Sequence, residues 1–330
     1  EQRELQRQAF AAQALQASLS SRQRKISCKA VQRYSIWRPE DSISFGVTMR
    51  EHVFALSWVV THIGTLPSAI FVEAKQTNAN HVPRRCKDSK LSFWRCYFDP
   101  PSSCAAGDHD AEPFTKVEAK AKDFSREFSE LLLPPLEWRE HGRWWFFAQI
   151  LGYLWRPSLL TRRKLANMTH ALPRRTIGLH IRHGDACPTR TCLDLGAYVA
   201  AARALASLYT DDPPRSIYVS TDDAAVARLC VNEGRLAGFE CHIAHHAHSQ
   251  IGRPDDNMWI EEIADTSRQD RIALSAIADI EMLRQCDFFI GTFESTYSTL
   301  AWSLAWFTKR RPVPFVNFGP QYFGCHGELV

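Results

Sequence analysis

Residues 176–192 read TIGLHIRHGDACPTRTC, an apolar run that passes directly into histidines, arginines, an aspartate and two cysteines. The first six residues have the length and apolar character of a buried strand. Runs of the same kind recur at 216–222 (SIYVSTD) and 287–292 (DFFIGT), and helix-forming segments lie between them. Apolar strands that alternate with amphipathic helices indicate a parallel sheet covered by helices on both faces.

Charged and polar side chains collect where three of these runs end. Because open parallel sheets bind ligands beyond the carboxyl ends of their strands, the residues there are site candidates. They are His180, Arg182, His183 and Asp185 at the end of the first run, Ser220, Thr221, Asp222 and Asp223 at the end of the second, and Thr292, Phe293, Glu294, Ser295 and Thr296 at the end of the third. The structural alternative is that strand ends are solvated and loops collect polar residues.

The residue types at these ends suit a phosphate group. A guanidinium such as that of Arg182 pairs with two phosphate oxygens at once. Ser295 or Thr296 is expected to cap the helix after the third run, and a helix N-terminus directs N–H groups at an anion. The chain contains neither a G-x-G-x-x-G nor a G-x-x-x-x-G-K-[ST] loop. We therefore expect an arginine and a helix end, without a glycine-rich loop, to hold the phosphate.

The second half of the chain resembles the α-1,6-fucosyltransferases and their GDP-fucose-dependent relatives. The family motif H-x-R-R-x-D is matched by HIRHGD (180–185), and the T-D-D strand end by STDD (220–223). The run D-I-x-x-L-x-x-x-D-F-x-x-x-T-F-x-S is matched by DIEMLRQCDFFIGTFES (279–295), and a Trp-Trp helix that ends in Arg-Pro by WWFFAQILGYLWRP (144–157). Four motifs in the family's order make this resemblance specific.

The resemblance implies a GT-B-like fold of the α/β class, with two Rossmann-type domains and a donor-binding cleft between them. We predict a helical stem over residues 1–30, an N-terminal α/β domain on the acceptor side over 31–165, and a C-terminal Rossmann-like nucleotide-sugar-binding domain over 166–330. The stem prediction rests on a helix-forming start whose apolar stripe is thin, namely Leu5, Phe10, Leu15 and Leu19. A chain of 330 residues also suits two domains.

The resemblance further implies an inverting, metal-independent transfer of fucose from GDP-fucose to a glycan. Arg182 matches the arginine that holds the donor diphosphate, whereas His180 and Asp279 match residues that recognise the guanine nucleotide. Asp222 and Asp223 match carboxylates near the nucleotide and the substrate. The predicted donor-binding residues are His180, Arg182, Tyr198, Asp222, Asp223, Asp279, Thr292, Phe293, Glu294, Ser295 and Thr296.

Two departures from the family pattern concern the reaction itself. The second motif arginine is His183 here, and the family's catalytic glutamate has no carboxylate in its place. We expect Arg182 to stabilise the leaving diphosphate, with His183 assisting if protonated, and Asp185 to act as the base. Asp194 and Glu294 are alternative bases, and Asp185 has a structural alternative in capping its loop or pairing with Arg182.

Ten cysteines indicate an oxidising compartment. Cys187 and Cys192 stand in the motif loop, which is shorter than in the family, and we expect them to form a disulfide. Asn167 begins an N-M-T sequon for N-glycosylation. We therefore expect the secretory pathway, in particular the Golgi lumen. The chain has no run of 18 apolar residues, so membrane attachment, as a type II protein, would come from an anchor removed upstream.

Other functional classes fit less well. A net charge of +4 with scattered basic pairs does not suggest a nucleic-acid partner. Two segments, DHD (108–110) and HIAHHAHS (242–249), contain metal-ligand residue types but lack a convincing ligand frame, so neither a metal nor another cofactor is expected. Three alternatives stay open, namely a protein O-fucosyltransferase, a transferase that uses another GDP-sugar, and an inactive relative that binds a nucleotide or sugar.

Overall fold

A computed structural model describes residues 2–24, 33–37, 45–62, 69–73, 86, 93–104, 115–117, 133–183, 187, 192–244, 266–293 and 295–319. These residues form a mixed α/β structure, and the predicted α/β class is confirmed. The chain divides into two compact units, one built on Glu1–Ser158 and the other on Leu159–Tyr322. The assignment of an acceptor side, a donor side and a separate stem stays a prediction.

The first unit contains a three-stranded parallel sheet in the order β2-β1-β3. Its strands are β1 (Arg33–Trp37), β2 (Ala69–Glu73) and β3 (Thr115–Val117). Its helices are α1 (Gln2–Arg24), α2 (Phe45–His62), α3 (Phe93–Tyr97) and α4 (Gly142–Leu154), and a 3₁₀ helix (Leu136–His141) directly precedes α4. A disulfide joins Cys86 to Cys96.

The aromatic helix α4 is the core of the first unit. Every residue from Trp145 to Leu154 is buried, and Phe147 packs edge-on against Phe54 of α2 with ring centroids 6.3 Å apart. Helix α1 also buries one side, since Leu15 and Leu19 are 1% and 2% exposed. Phe10, also in the apolar stripe of α1, is 74% exposed. Leu15 and Leu19 therefore pack α1 into this unit.

The second unit contains a six-stranded sheet in the order β6-β7-β5-β4-β8-β9, parallel except for the β6–β7 pair. Its strands are β4 (Thr176–Ile181), β5 (Ser216–Thr221), β6 (Arg235–Leu236), β7 (Phe239–His242), β8 (Phe288–Gly291) and β9 (Phe315–Asn317). Its helices are α5 (Leu159–Leu165), α6 (Leu195–Ser207), α7 (Ala224–Glu233), α8 (Thr266–Leu283) and α9 (Thr296–Lys309).

The two central strands are buried along their whole length. All six residues of β4 and all six of β5 are buried, as expected for parallel strands covered on both faces. Gly178 allows α8 to lie close to β4, because a Cβ atom at this position would stand 3.0 Å from Cδ2 of Leu283. A disulfide between Cys230 and Cys241 joins α7 to β7. The strand order makes β5, β4 and β8 neighbours.

Candidate active site

Three adjacent parallel strands bring the predicted site residues to one edge of the sheet. β4 pairs in register with β5 on one side, with Ile181 opposite Thr221, and with β8 on the other. The residues that follow these strands therefore meet at a common carboxyl edge. This edge lies within the second unit.

Arg182 and Asp222 form an ion pair across this edge. The guanidinium donates from Nη1 to Oδ2 of Asp222, and the backbone N–H of His183 donates to Oδ1 of the same carboxylate, at 2.8 Å. The Asp222 side chain is 5% exposed, whereas that of Arg182 is 26% exposed. A buried carboxylate thus orients a guanidinium that remains accessible to an anion.

His183 is held by two oxygen atoms of the protein. Its Nδ1 lies 2.9 Å from Oδ2 of Asp223, and its Nε2 lies 2.7 Å from the carbonyl oxygen of Leu193. Burial alone would lower the pKa of His183, but the hydrogen bonds to Asp223 and Leu193 and the charges of both aspartates raise it above its ordinary value. Both ring nitrogens thus contact the protein, which indicates a role in positioning.

Asp223 has a second role as the N-cap of α7. Its Oδ1 accepts from the backbone N–H of Ala225 at 2.7 Å and of Val226 at 3.4 Å. Burial alone would raise the pKa of Asp223, but the hydrogen bonds from His183 and from the helix N-terminus lower it. The T-D-D motif therefore fixes Arg182 with one carboxylate, and His183 and α7 with the other.

The motif loop is closed by a disulfide between Cys187 and Cys192, with Cα atoms 5.2 Å apart, which confirms the expected pairing. On the same side of the sheet, Tyr198 of α6 is buried and its ring packs edge-on against Phe318, 4.9 Å away. Burial and the charge of Asp222 raise the pKa of Tyr198 to about 12, so its hydroxyl stays protonated.

Asp279 lies buried on α8 beneath the strand ends. Its carboxylate accepts from the hydroxyl of Tyr218 at 2.5 Å and from that of Ser220 at 3.2 Å, both on β5. Burial raises the pKa of Asp279 to about 7, although the two hydrogen bonds act in the opposite direction. The predicted guanine-binding carboxylate is thus one part of a buried polar cluster.

His180 belongs to the same buried region. Its Nδ1 lies 2.5 Å from the hydroxyl of Ser298 on α9, and its ring is 4.9 Å from that of Tyr297. Gly291 of β8 leaves room for this contact, because a Cβ atom there would stand 3.0 Å from Oγ of Ser298. The hydroxyl of Tyr297 donates to the backbone carbonyl of Ala276 at 2.6 Å.

The residues after β8 divide between the core and the edge. The ring of Phe293 stacks on that of Phe315, with centroids 4.8 Å apart, so this side chain packs in the core. The backbone N–H of Phe293 donates to the side-chain oxygen of Asn317 at 2.9 Å. Ser295 is the N-cap residue of α9, without a side-chain hydrogen bond to the helix. Thr292 and Thr296 are partly exposed on either side of this turn.

Several predicted residues lie outside the described part of the chain. These are Asp185, Glu294, residues 108–110 and residues 245–249. Asp194, the other alternative base, caps α6 by accepting from Ala197 N–H at 2.8 Å. Asn167 is exposed in the turn after α5. Among the described residues, no group of three or more His, Cys, Asp or Glu side chains is placed to hold a metal ion.

Ser220 was predicted as a site residue, but Tyr218 and the contact of both side chains with Asp279 were not. Tyr218 and Ser220 alternate within an apolar strand and so share one face of the sheet, which places both against Asp279. This i, i+2 spacing of polar residues in SIYVST was a signal that could have identified them. The sequence gives no comparable signal for the contact of His183 with the carbonyl oxygen of Leu193, because every residue has a backbone carbonyl group.

Residues 136–310 match the model of the alpha-(1,6)-fucosyltransferase N- and catalytic domains, over more than half of the chain. No curated protein matches the chain significantly. Within the part of the chain that the structure describes, no helix is both long and apolar enough to cross a membrane.

Solved structures with a similar backbone fold include the following three. Fucosyltransferase NodZ from Bradyrhizobium is 16% identical over 82% of this chain and 92% of its own, with a TM-score of 0.41. POFUT1 in complex with GDP-fucose is 12% identical over 88% and 98%, with a score of 0.40. A mutant of Arabidopsis thaliana FUT1 in complex with GDP is 12% identical over 92% and 76%, with a score of 0.44. These values are too low to carry a function across.

Proposed function

The chain belongs to the alpha-(1,6)-fucosyltransferase family, and from this membership we propose that it transfers fucose from GDP-fucose to a hydroxyl group of a glycan. The family makes it a glycosyltransferase. The proposed donor agrees with the four ordered motifs of residues 144–295, which include an arginine for the diphosphate and no glycine-rich phosphate loop.

The observation that supports the donor site most directly is the ion pair of Arg182 with Asp222. Asp222 is buried and holds the guanidinium at the carboxyl edge, while Arg182 keeps 26% of its side-chain surface exposed. Helix α9 begins beyond β8, the neighbour of β4, so its N-terminal N–H groups face the same edge. We propose that Arg182 and this helix end bind the two phosphates together.

In the proposed reaction the acceptor oxygen attacks the anomeric carbon from the face opposite the diphosphate. The bond between that carbon and the diphosphate oxygen breaks, the configuration inverts, and the acceptor proton passes to a base. Negative charge grows on the leaving GDP, and Arg182 stabilises it without needing a divalent metal. We propose Asp185 as the base because it follows Arg182 closely in the motif loop.

The guanine assignment of His180 and Asp279 also remains a proposal. Both side chains are buried, at 5% and 2% exposure, and both are held by hydroxyl groups of neighbouring residues. In this proposal they bind the guanine at the bottom of the donor site, and their hydrogen bonds already orient them in the free protein. This pre-organisation reduces the ordering cost of binding.

We further propose that the protein works in the lumen of the secretory pathway, with the Golgi as the expected compartment. The disulfides Cys86–Cys96, Cys187–Cys192 and Cys230–Cys241 suit an oxidising environment. Asn167 is exposed within its sequon, so we propose that it carries an N-glycan there. Loss of mass after peptide-N-glycosidase treatment of the secreted chain tests this.

Thermal unfolding in the presence of nucleotide sugars tests the proposed donor. GDP and GDP-fucose at 100 times their Kd should each add about 2.7 kcal/mol to the free energy of unfolding. UDP-sugars should add little, and a chelator should leave the shift intact. Transfer to glycan and protein acceptor arrays then separates a glycan fucosyltransferase from a protein O-fucosyltransferase. Stabilisation by GDP-fucose without any transfer would indicate an inactive relative.

A further inference from the structure

The two ring nitrogens of His183 both face oxygen atoms that can only accept a hydrogen bond. Nδ1 lies 2.9 Å from a carboxylate oxygen of Asp223, and Nε2 lies 2.7 Å from the carbonyl oxygen of Leu193. Neutral imidazole carries one N–H, so in that form one nitrogen lone pair would face an oxygen lone pair. The doubly protonated ring satisfies both contacts.

Among the residues that the structure describes at this edge, the four that form its two ion pairs balance in charge only when the ring is protonated. Asp222 is paired with Arg182, and Asp223 is paired with His183. Tyr198 is a further described titratable group near Asp222, and its pKa of about 12 keeps it neutral. With an imidazolium, the two aspartates, the arginine and the histidine sum to zero. Loss of the proton leaves one net negative charge beside the proposed diphosphate site.

His183 is also linked to Arg182 through the protein. Its backbone N–H donates to the carboxylate that holds Arg182, and its ring holds the N-cap residue of α7. The carbonyl of Leu193 follows the disulfide-bonded Cys192 directly. One side chain therefore connects the end of β4, the start of α7 and the end of the motif loop.

We propose that His183 acts as an imidazolium that holds Asp223 by a hydrogen bond and attracts Asp222 by its charge, and through Asp222 positions the guanidinium of Arg182, so that deprotonation of His183 weakens donor binding. His183 is a positioning residue in this proposal and does not contact the donor. The inference rests on the proposed GDP-sugar site. Because the pKa of His183 is raised, the charged form persists to a higher pH than in an ordinary histidine and is lost as the pH rises through that raised value.

The first measurement is an NMR titration of the histidine side chains in the full chain, with His183 assigned from the spectrum of His183→Gln. The expected midpoint for His183 lies clearly above the ordinary histidine value of about 6.5. Asp223→Asn should lower this midpoint by about one pH unit or more, because it removes the opposite charge but keeps a side chain that caps α7. A midpoint at or below the ordinary value overturns the proposal.

The second measurement is the affinity for GDP against pH, by calorimetry, in the unsubstituted protein, Asp223→Asn and Glu240→Gln. Affinity should fall on the alkaline side with the midpoint found for His183, and Asp223→Asn should move that fall to lower pH. Glu240→Gln, which removes the carboxylate beside His242, should not move it. Ionisation of GDP itself is common to all three proteins and cancels in the comparison.

The two measurements separate this inference from the donor assignment. An alkaline fall that Asp223→Asn does not move contradicts the positioning role. If GDP does not bind at any pH, the proposed donor is wrong, and the NMR midpoint alone decides whether His183 is an imidazolium. Circular dichroism confirms that each variant is folded.

Discussion

The carboxylate of Asp222 holds the guanidinium of Arg182 at the carboxyl edge of the sheet, and its second oxygen accepts the next backbone N–H along the chain. A single buried side chain thus fixes both the direction of the guanidinium and the path of the backbone that carries it. Because the N–H groups of a guanidinium point in fixed directions, this arrangement sets the orientation in which Arg182 can bind a phosphate group.

Arg182→Lys should strongly reduce the rate of fucose transfer while leaving the protein folded. Lysine keeps the positive charge but cannot form the bidentate contact with two phosphate oxygens. Loss of one well-placed donor to developing charge costs roughly a hundred- to a thousand-fold in rate. Steady-state kinetics with GDP-fucose, together with circular dichroism, measures this. Arg284→Lys is the matched control, since Arg284 directly follows α8 and pairs with Glu281 of that helix. Near-normal transfer by Arg182→Lys would contradict the donor site.

Asp185→Asn distinguishes a base from a structural residue. If Asp185 takes the acceptor proton, transfer should fall by roughly a hundred- to ten-thousand-fold while the affinity for GDP is almost unchanged. Single-turnover kinetics and calorimetry on the same preparation give both quantities. A parallel loss of rate and GDP affinity would instead indicate that Asp185 orients Arg182. Asp194→Asn should have a small effect on rate, because Asp194 caps α6 and asparagine also caps well.

The sequence predicted the central strands well because their apolar runs are short, buried and separated by helices. TIGLHI corresponds to β4 residue for residue, and the predicted strand SIYVSTD is one residue longer than β5 at its carboxyl end. Parallel strands that are covered on both faces are mainly apolar, and the sequence shows them as short apolar runs. The placement of Arg182 and Asp222 at carboxyl ends of parallel strands was also predicted, whereas their ion pair was not, because it depends on β4 and β5 being neighbours.

Other contacts could not be predicted because they depend on strand order or on the backbone. Tyr218 and Asp279 are 61 residues apart, and only the packing of α8 on β5 brings them together. The contact of His183 with Leu193 uses a backbone carbonyl, which residue identity does not reveal. Phe293 matched a family motif at the site edge, yet its ring packs against Phe315 and Trp302 in the core.

The stability of the protein should depend on pH through Asp279. Burial raises the pKa of Asp279 to about 7 in the folded protein, above the value of about 3.9 in an unfolded chain. Between about pH 4 and pH 7 the folded protein therefore keeps a proton that the unfolded chain releases. The contribution of Asp279 to stability is then largest below pH 4 and falls as the pH rises through this window.

Urea unfolding at several pH values checks this dependence. Asp279→Asn, which cannot ionise, should show a smaller loss of stability between pH 5 and pH 8 than the unsubstituted protein. Glu240→Gln, which removes a carboxylate that is 59% exposed, should keep the original dependence. An unchanged pH profile in Asp279→Asn would mean that Asp279 is ionised throughout and that its buried cluster accommodates the charge.

The Cys187–Cys192 disulfide should support the donor site more than the fold. It closes a short loop, so its loss by Cys187→Ser with Cys192→Ser should cost about 2 kcal/mol of stability at most. GDP affinity should fall as well, because Leu193, the acceptor for His183, follows the disulfide directly. The matched control is Cys230→Ser with Cys241→Ser, which removes the link between α7 and β7. That control should lower the unfolding midpoint and leave GDP affinity unchanged in the folded protein. Equal effects of the two double variants on GDP affinity would show that the motif loop acts only through global stability.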